Sequence, residues 1–169
     1  PPRSTLFPYT TLFRSHPLLA VREEKKVQLV LVTADRGLAG AFNTNLIRAA
    51  QQFLAEQPER RTALELYGRK GRDFFRRRGV EVSGEMTGIS QSASYDDAEA
   101  LAVKLMERFT SGEIDAAYII FNEYKSVLSQ QVAVKRILPL ALPEDAGAGR
   151  DYILEQEPAE FLRNLLPGY

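Results

Sequence analysis

Any chemistry in this chain would have to start at the turn Asp35-Arg36-Gly37-Leu38-Ala39-Gly40, which joins an apolar run to an amphipathic one. A carboxylate at a strand end can act as a nucleophile or hold magnesium, and glycines let backbone amides close on a phosphate at a helix start. The turn carries only Gly37 and Gly40, not the three glycines of a dinucleotide fingerprint, and no Gly-Lys-Ser/Thr of a phosphate-binding loop follows. No second acid stands two residues after Asp35, because that place is Gly37. The turn reads first as structure or partner surface, next as the anion site of a small phosphate- or nucleotide-binding α/β enzyme, and last as a catalytic centre.

The other charged constellations are weighed in the same way. Residues 69–78 hold Arg69, Lys70, Arg72, Arg76, Arg77 and Arg78 against Asp73 alone. They form either a patch for phosphate or an acidic partner, or a solvated helix face that turns Phe74 and Phe75 inward. The second reading is favoured because 22 Lys and Arg cancel 22 Asp and Glu over the chain, so no global field recruits nucleic acid or anionic lipid. Asp96 and Asp97 suit the first turn of a helix. Glu113 and Asp115 flank a strand without partners for acid–base work. The single histidine, His16, excludes histidine triads and multi-histidine metal sites. The absence of cysteine excludes thiolate chemistry and a disulfide framework. No residue is assigned a catalytic, cofactor-binding or metal-ligating role, and no cofactor is expected.

The elements that position these residues alternate. Residues 27–34, VQLVLVTA, read as a central parallel strand. Phe42, Leu46, Ala50, Phe53 and Leu54 recur at helical spacing, which predicts a helix over 43–57 capped by Asn43 or Thr44 and stopped by Pro58. TALELY at 62–67 is a second strand, and Gly68 opens a short helix, RKGRDFFRRR, closed by Gly79. A brief third strand is expected at 80–82. Ser94 and Asp97 have capping-box spacing, with Ala98, Leu101, Ala102, Leu105 and Phe109 on one face of the helix that follows. AAYIIF at 116–121 is another buried strand. NEYKS is too short for a parallel crossover, so 127–138 should return antiparallel, with Leu128, Val132, Val134 and Leu138 on one face. Residues 139–151 read as a linker, followed by a short YIL strand. A last helix starts at Pro158 and bears Phe161, Leu162, Leu165 and Leu166. This is an α/β chain with a three-layer, Rossmann-like, mostly parallel sheet and one antiparallel strand.

Residues 1–15, PPRSTLFPYTTLFRS, differ from the rest: they contain no acid and echo TLF at 5–7 and 11–13. Pro8, Tyr9, Thr10 and Thr11 interrupt any signal-peptide core. The string resembles a translated sequencing adapter, which sets the organisation as non-native sequence over 1–15, a central α/β domain over 16–157, and the start of a further helix over 158–169.

Four strings in order carry a family resemblance: TADRGLAGAFNTNLIRAA at 33–50, YGRKGRDFFRRRG at 67–79, YIIFNEYKSVLSQ at 118–130 and YILEQEPAEFLRNLLP at 152–167. Together they resemble the gamma subunit of F-type, proton-translocating ATP synthases over about residues 16–169. Ala39 stands where many relatives carry cysteine, and Gly168 follows Pro167 where relatives continue as helix. The resemblance implies a non-catalytic rotor piece, the central α/β domain without the two long coiled-coil helices of the full subunit. Its implied partners are the epsilon subunit, the c-subunit ring and the alpha/beta hexamer. Its implied place is the cytoplasmic face of a bacterial plasma membrane, held there by the complex with no membrane insertion of its own.

Overall fold

The computed structural model describes residues 16–37, 40–88, 94–126 and 129–141. The expectations for residues 1–15, Leu38, Ala39, Leu128, the linker beyond Ala141, the YIL strand and the final helix lie outside these residues.

Five strands build one sheet in the order β3-β2-β1-β4-β5: β1 Lys26–Val32, β2 Arg61–Tyr67, β3 Val82–Met86, β4 Ala116–Ser126 and β5 Ser129–Leu138. β1 is central and pairs in parallel with β2 (Leu29 opposite Leu64) and with β4 (Leu29 opposite Tyr118). β3 joins β2 in parallel, and β5 returns antiparallel to β4. Three helices cover the faces: α1 Phe42–Glu56 and α2 Arg69–Phe75 on one side, α3 Tyr95–Thr110 on the other. The three-layer α/β expectation is met. A short 3-10 turn at Pro17–Leu19 adds Leu18 to the α3 side, and the His16 Nδ1 accepts from the Leu18 amide, so the only imidazole caps a turn.

The continuous apolar run of β1 follows from burial on both faces. Leu29 and Leu31 pack with Leu46, Ala50, Leu64, Leu66, Phe75 and Ile120 under α1 and α2. Val30 packs with Leu105, Phe109, Ile114, Ala117 and Leu138 under α3. Each fully buried leucine or phenylalanine contributes about 1.5–3 kcal/mol of apolar transfer energy, so the two clusters stabilise the fold against chain entropy.

Several local expectations are corrected. α1 begins at Phe42 after Ala41, which makes no side-chain cap; the Asn43 side chain is instead drawn into a contact with the preceding turn. α2 ends at Phe75, four residues before Gly79, because 76–79 fold as a turn that Gly79 completes at φ 67°. β3 lies at Val82–Met86, beyond the expected 80–82. NEYKS is not a connection but the outer half of β4, which runs on to Ser126 and pairs there with Ser129 of β5. Leu138 does not share a face with Val132. The register shifts between Ala117 and Tyr118, sending Leu138 to the α3 cluster while Val132 packs on the α1 side. Val134 is 47% exposed. The capping box at Ser94 and Asp97 is present in full, but Ala98 is exposed, and the buried residues of α3 are Leu105 and Phe109 in its second half.

Candidate functional site

At the C-terminal ends of β1 and β2 an open cleft of about 400 Å³ lies between the start of α1 (Asn43, Thr44, Ile47) and the basic segment (Lys70, Phe74, Arg77). Both sequence-singled features, the Asp35–Gly40 turn and residues 69–78, meet here.

The turn is tied into the scaffold by its own polar groups. The Asp35 Oδ1 accepts from the backbone amides of Arg69 (3.1 Å) and Gly88 (2.9 Å), so one carboxylate joins the ends of β1, β2 and β3. Thr33 donates from its amide (2.7 Å) and hydroxyl (3.1 Å) to the Tyr67 carbonyl, and its Oγ1 accepts from the Gly71 amide at 2.9 Å. The Asn43 Oδ1 accepts from the Ala34 amide at 2.9 Å, and its Nδ2 donates to the Arg36 carbonyl at 3.3 Å. These bonds spend the polar groups a catalytic reading would need. Among the described residues no cluster of three or more His, Cys, Asp or Glu side chains is placed to hold a metal.

A structural Asp35 has a measurable consequence. Asp35→Ala should cost about 1–3 kcal/mol, because two amides lose a charged acceptor, and Asp35→Asn should retain part of it. Urea unfolding checks this, and a stability equal to the parent in both variants would return Asp35 to the list of functional acids.

The basic segment divides into spent and free charge. Arg72 pairs with Asp73 at 2.9 Å and Arg76 with Glu85 at 3.4 Å. The Arg78 guanidinium lies 3.4 Å from the Phe74 ring centroid and donates to the Phe74 carbonyl at 2.9 Å. Lys70 and Arg77 line the cleft, and among the described residues no carboxylate pairs with either. Phe75 is buried and Phe74 half-buried, as the solvated-face reading expects. Asp96 and Asp97 occupy the first turn of α3. Glu113 binds Arg108, and Asp115 accepts from the amides of Lys25 and Lys26, so neither pairs with a second acid. Thr33 was not singled out as a junction, since a threonine at a strand end carries no signal by type alone.

A family model described as ATP synthase matches residues 5–169. The chain is 53% identical over 154 residues to the ATP synthase gamma chain of Solibacter usitatus, covering 91% of this chain and 54% of that one. It is 45% identical over 157 residues to the ATP synthase gamma chain of an Anaeromyxobacter species, covering 90% and 54% respectively. This chain belongs to the ATP synthase gamma chain family. It spans about half the length of the curated relatives it matches. Among solved structures, it superposes on a chain of the Tetrahymena thermophila mitochondrial ATP synthase central stalk and c-ring with a TM-score of 0.68. That match covers 95% of this chain and 73% of that one, at 18% identity. A rotor chain of the Euglena gracilis mitochondrial enzyme gives 0.53 at 22% identity, covering 98% and 62%. At these identities the structural likeness speaks for the fold. The enzyme reading of the Asp35–Gly40 turn gains nothing from these gamma-type relatives.

Proposed function

We propose that this gamma-type domain is a central-stalk rotor part that couples proton flow through a c-subunit ring to ATP synthesis on an alpha/beta hexamer, and that it performs no chemistry itself. The observation that carries the reading is the identity to gamma chains along nine-tenths of this sequence. The stitching of Asp35, Thr33 and Asn43 into the scaffold supports it, since such a turn suits a rigid surface better than a reacting centre. An epsilon subunit is the further partner. The reading places the domain at the cytoplasmic face of a bacterial plasma membrane, held there through its partners. Among the described residues no helix is long and apolar enough to cross a membrane. Residues 1–15 are proposed to be foreign to the domain, and resequencing across that edge of the gene tests this.

The function is tested by grafting residues 16–141 into the Solibacter usitatus gamma chain in place of its matching segment and reconstituting the complex in vesicles. Assembly with alpha and beta chains and ATP-driven proton pumping are the expected result. A chimera that folds yet never joins the hexamer would refute it. Within that chimera, Lys70→Glu with Arg77→Glu should weaken assembly and alter its salt dependence, because unpaired exposed charges act on association. The same pair should leave the unfolding free energy of the domain within about 0.5 kcal/mol. A large stability loss with normal assembly would make the patch structural.

A further inference from the structure

The face of the sheet under α3 carries a polar network where a parallel sheet ordinarily presents aliphatic side chains. Gln28 on β1 and Glu65 on β2 are buried to 0% and 5% exposure. Lys104 Nζ donates to both Glu65 carboxylate oxygens, at 2.7 and 2.8 Å. One turn on, Arg108 Nη1 donates to Gln28 Oε1, while Arg108 Nε and Nη2 hold Glu113, both at 2.7 Å. The Ser83 hydroxyl on β3 links the two anchors. It lies 3.0 Å from Glu65 Oε2 and 3.1 Å from Gln28 Oε1, and accepts from Gln28 Nε2 at 2.8 Å. Gly84 leaves the carboxylate its room, since a Cβ there would come 2.2 Å from Glu65 Oε1.

The apolar side of α3 is a ladder of Leu101, Leu105 and Phe109, four residues apart, of which only Leu105 and Phe109 are buried. Rungs of similar size one turn apart fix the helix's face but leave its position along its own axis weakly specified. We propose that the Lys104–Glu65 and Arg108–Gln28 pairs set the axial register of α3 on the sheet, one pair barring a one-turn slip in each direction. Sliding α3 toward its C-terminal end brings Ala100 opposite Glu65 and leaves a buried carboxylate without a cation. Sliding it the other way lets Arg108 reach Glu65, but Gly112 then falls opposite Gln28, whose buried oxygen loses its charged donor and keeps only the Ser83 hydroxyl. Buried polar pairs are best attested in this use, as devices that select one packing over another.

The chain contains no cysteine, so two introduced cysteines give unique spin-label sites. One label goes at Glu99, exposed on α3, and the second at Gln51 on α1 or at Glu59 in the following turn, both exposed. The two reference sites register axial movement from different angles. Pulsed dipolar distances in the 169-residue chain should show one population in the parent and in Lys104→Arg, which keeps the cation. Gln28→Leu with Glu65→Leu removes both anchors. It should add a second population displaced along the helix by roughly 6 Å, four residues at 1.5 Å rise each. Lys104→Met alters a side chain 41% exposed and leaves Glu65 without its cation, so it should move α3 to the register in which Arg108 takes over Glu65. Cooperative melting followed by circular dichroism establishes that each variant is folded. Folded variants that keep the parent's single distance would overturn the proposal. If the double replacement fails to fold, Lys104→Met decides alone: an unchanged single distance there makes the network a stabiliser without a register role.

Discussion

Gly68→Ala is expected to cost the domain more than about 3 kcal/mol, enough to leave much of it unfolded if its stability is ordinary. Gly68 sits at φ 93° and ψ 144°, a backbone region open to glycine and costly for any residue with a Cβ. A Cβ there would also stand 2.0 Å from the Thr33 carbonyl oxygen, which is backbone and cannot rotate aside. Thr33 cannot retreat without breaking its bonds to Tyr67 and Gly71, and the Gly68 amide donates to the Met86 carbonyl at 2.8 Å. The added methyl therefore drives apart the ends of β1, β2 and β3 together. Gly79 supplies the control: its φ is also positive, at 67°, but a Cβ there meets nothing within 4 Å. Gly79→Ala should cost about 1 kcal/mol, the left-handed penalty alone. Equal losses for the two glycines in urea unfolding would show that the close approach at Thr33 contributes nothing.

Phe109→Ala should cost about 3–5 kcal/mol, the range for a large aromatic removed from a packed interior. Phe109 is fully buried on α3 and touches the second core, which includes Val30, Leu105, Ile114 and Leu138. Its loss reaches further than its cavity. The Arg22 guanidinium sits 4.8 Å from the Phe109 ring centroid, and Arg22 Nη1 donates to the Phe109 carbonyl at 2.9 Å. That contact fastens the segment before β1 across the end of α3, so removing the ring loosens two elements. Val103→Ala, on the outer side of the same helix at 39% exposure, should change stability by less than about 0.5 kcal/mol. Calorimetric unfolding of both variants checks the contrast. A Phe109→Ala loss below about 1 kcal/mol would mean that the cavity collapses or fills.

The sequence was legible where one local signal decided the outcome. The apolar run at 27–34 placed β1 because a strand buried on both faces has no polar face to show. Ser94 and Asp97 placed the start of α3 because a capping box is complete within four residues. Legibility failed where a distant partner overrode the local signal. Asn43 has the right type for a cap, but Ala34 and Arg36 take its amide group, so the helix starts one residue earlier without it. β3 was placed too early because VSGEM is polar and sits at the sheet's edge, paired only on the β2 side. NEYKS looked like a loop for a related reason. The outer half of β4 pairs with β5 alone, and Tyr124 there is 65% exposed, so nothing imposed an apolar pattern. At the candidate site, Asp35 and residues 69–78 were visible by type, but their convergence on one cleft depends on the parallel pairing of β1 and β2. Which arginines are already engaged was invisible for the same reason, since Glu85, the partner of Arg76, belongs to another strand.

The position of β1 at the centre of the sheet also dictates when the domain can fold during synthesis. β1 meets β2 at a separation of 35 residues, as between Gln28 and Ala63. It waits for β4 until 89 residues separate the partners, since Asp115, whose carboxylate accepts from the Lys26 amide, immediately precedes that strand. β4 and β5, by contrast, are neighbours in the chain, with Ser126 paired to Ser129, and can zip together in about 1–10 μs. At about 5–20 residues per second on the ribosome, β1 spends several seconds with one apolar flank open before its second neighbour emerges. Nucleation at the late hairpin followed by capture of the early strand is the order this topology favours. A nascent chain arrested before residue 116 should therefore engage chaperones, and one arrested after β5 has cleared the exit tunnel should release them.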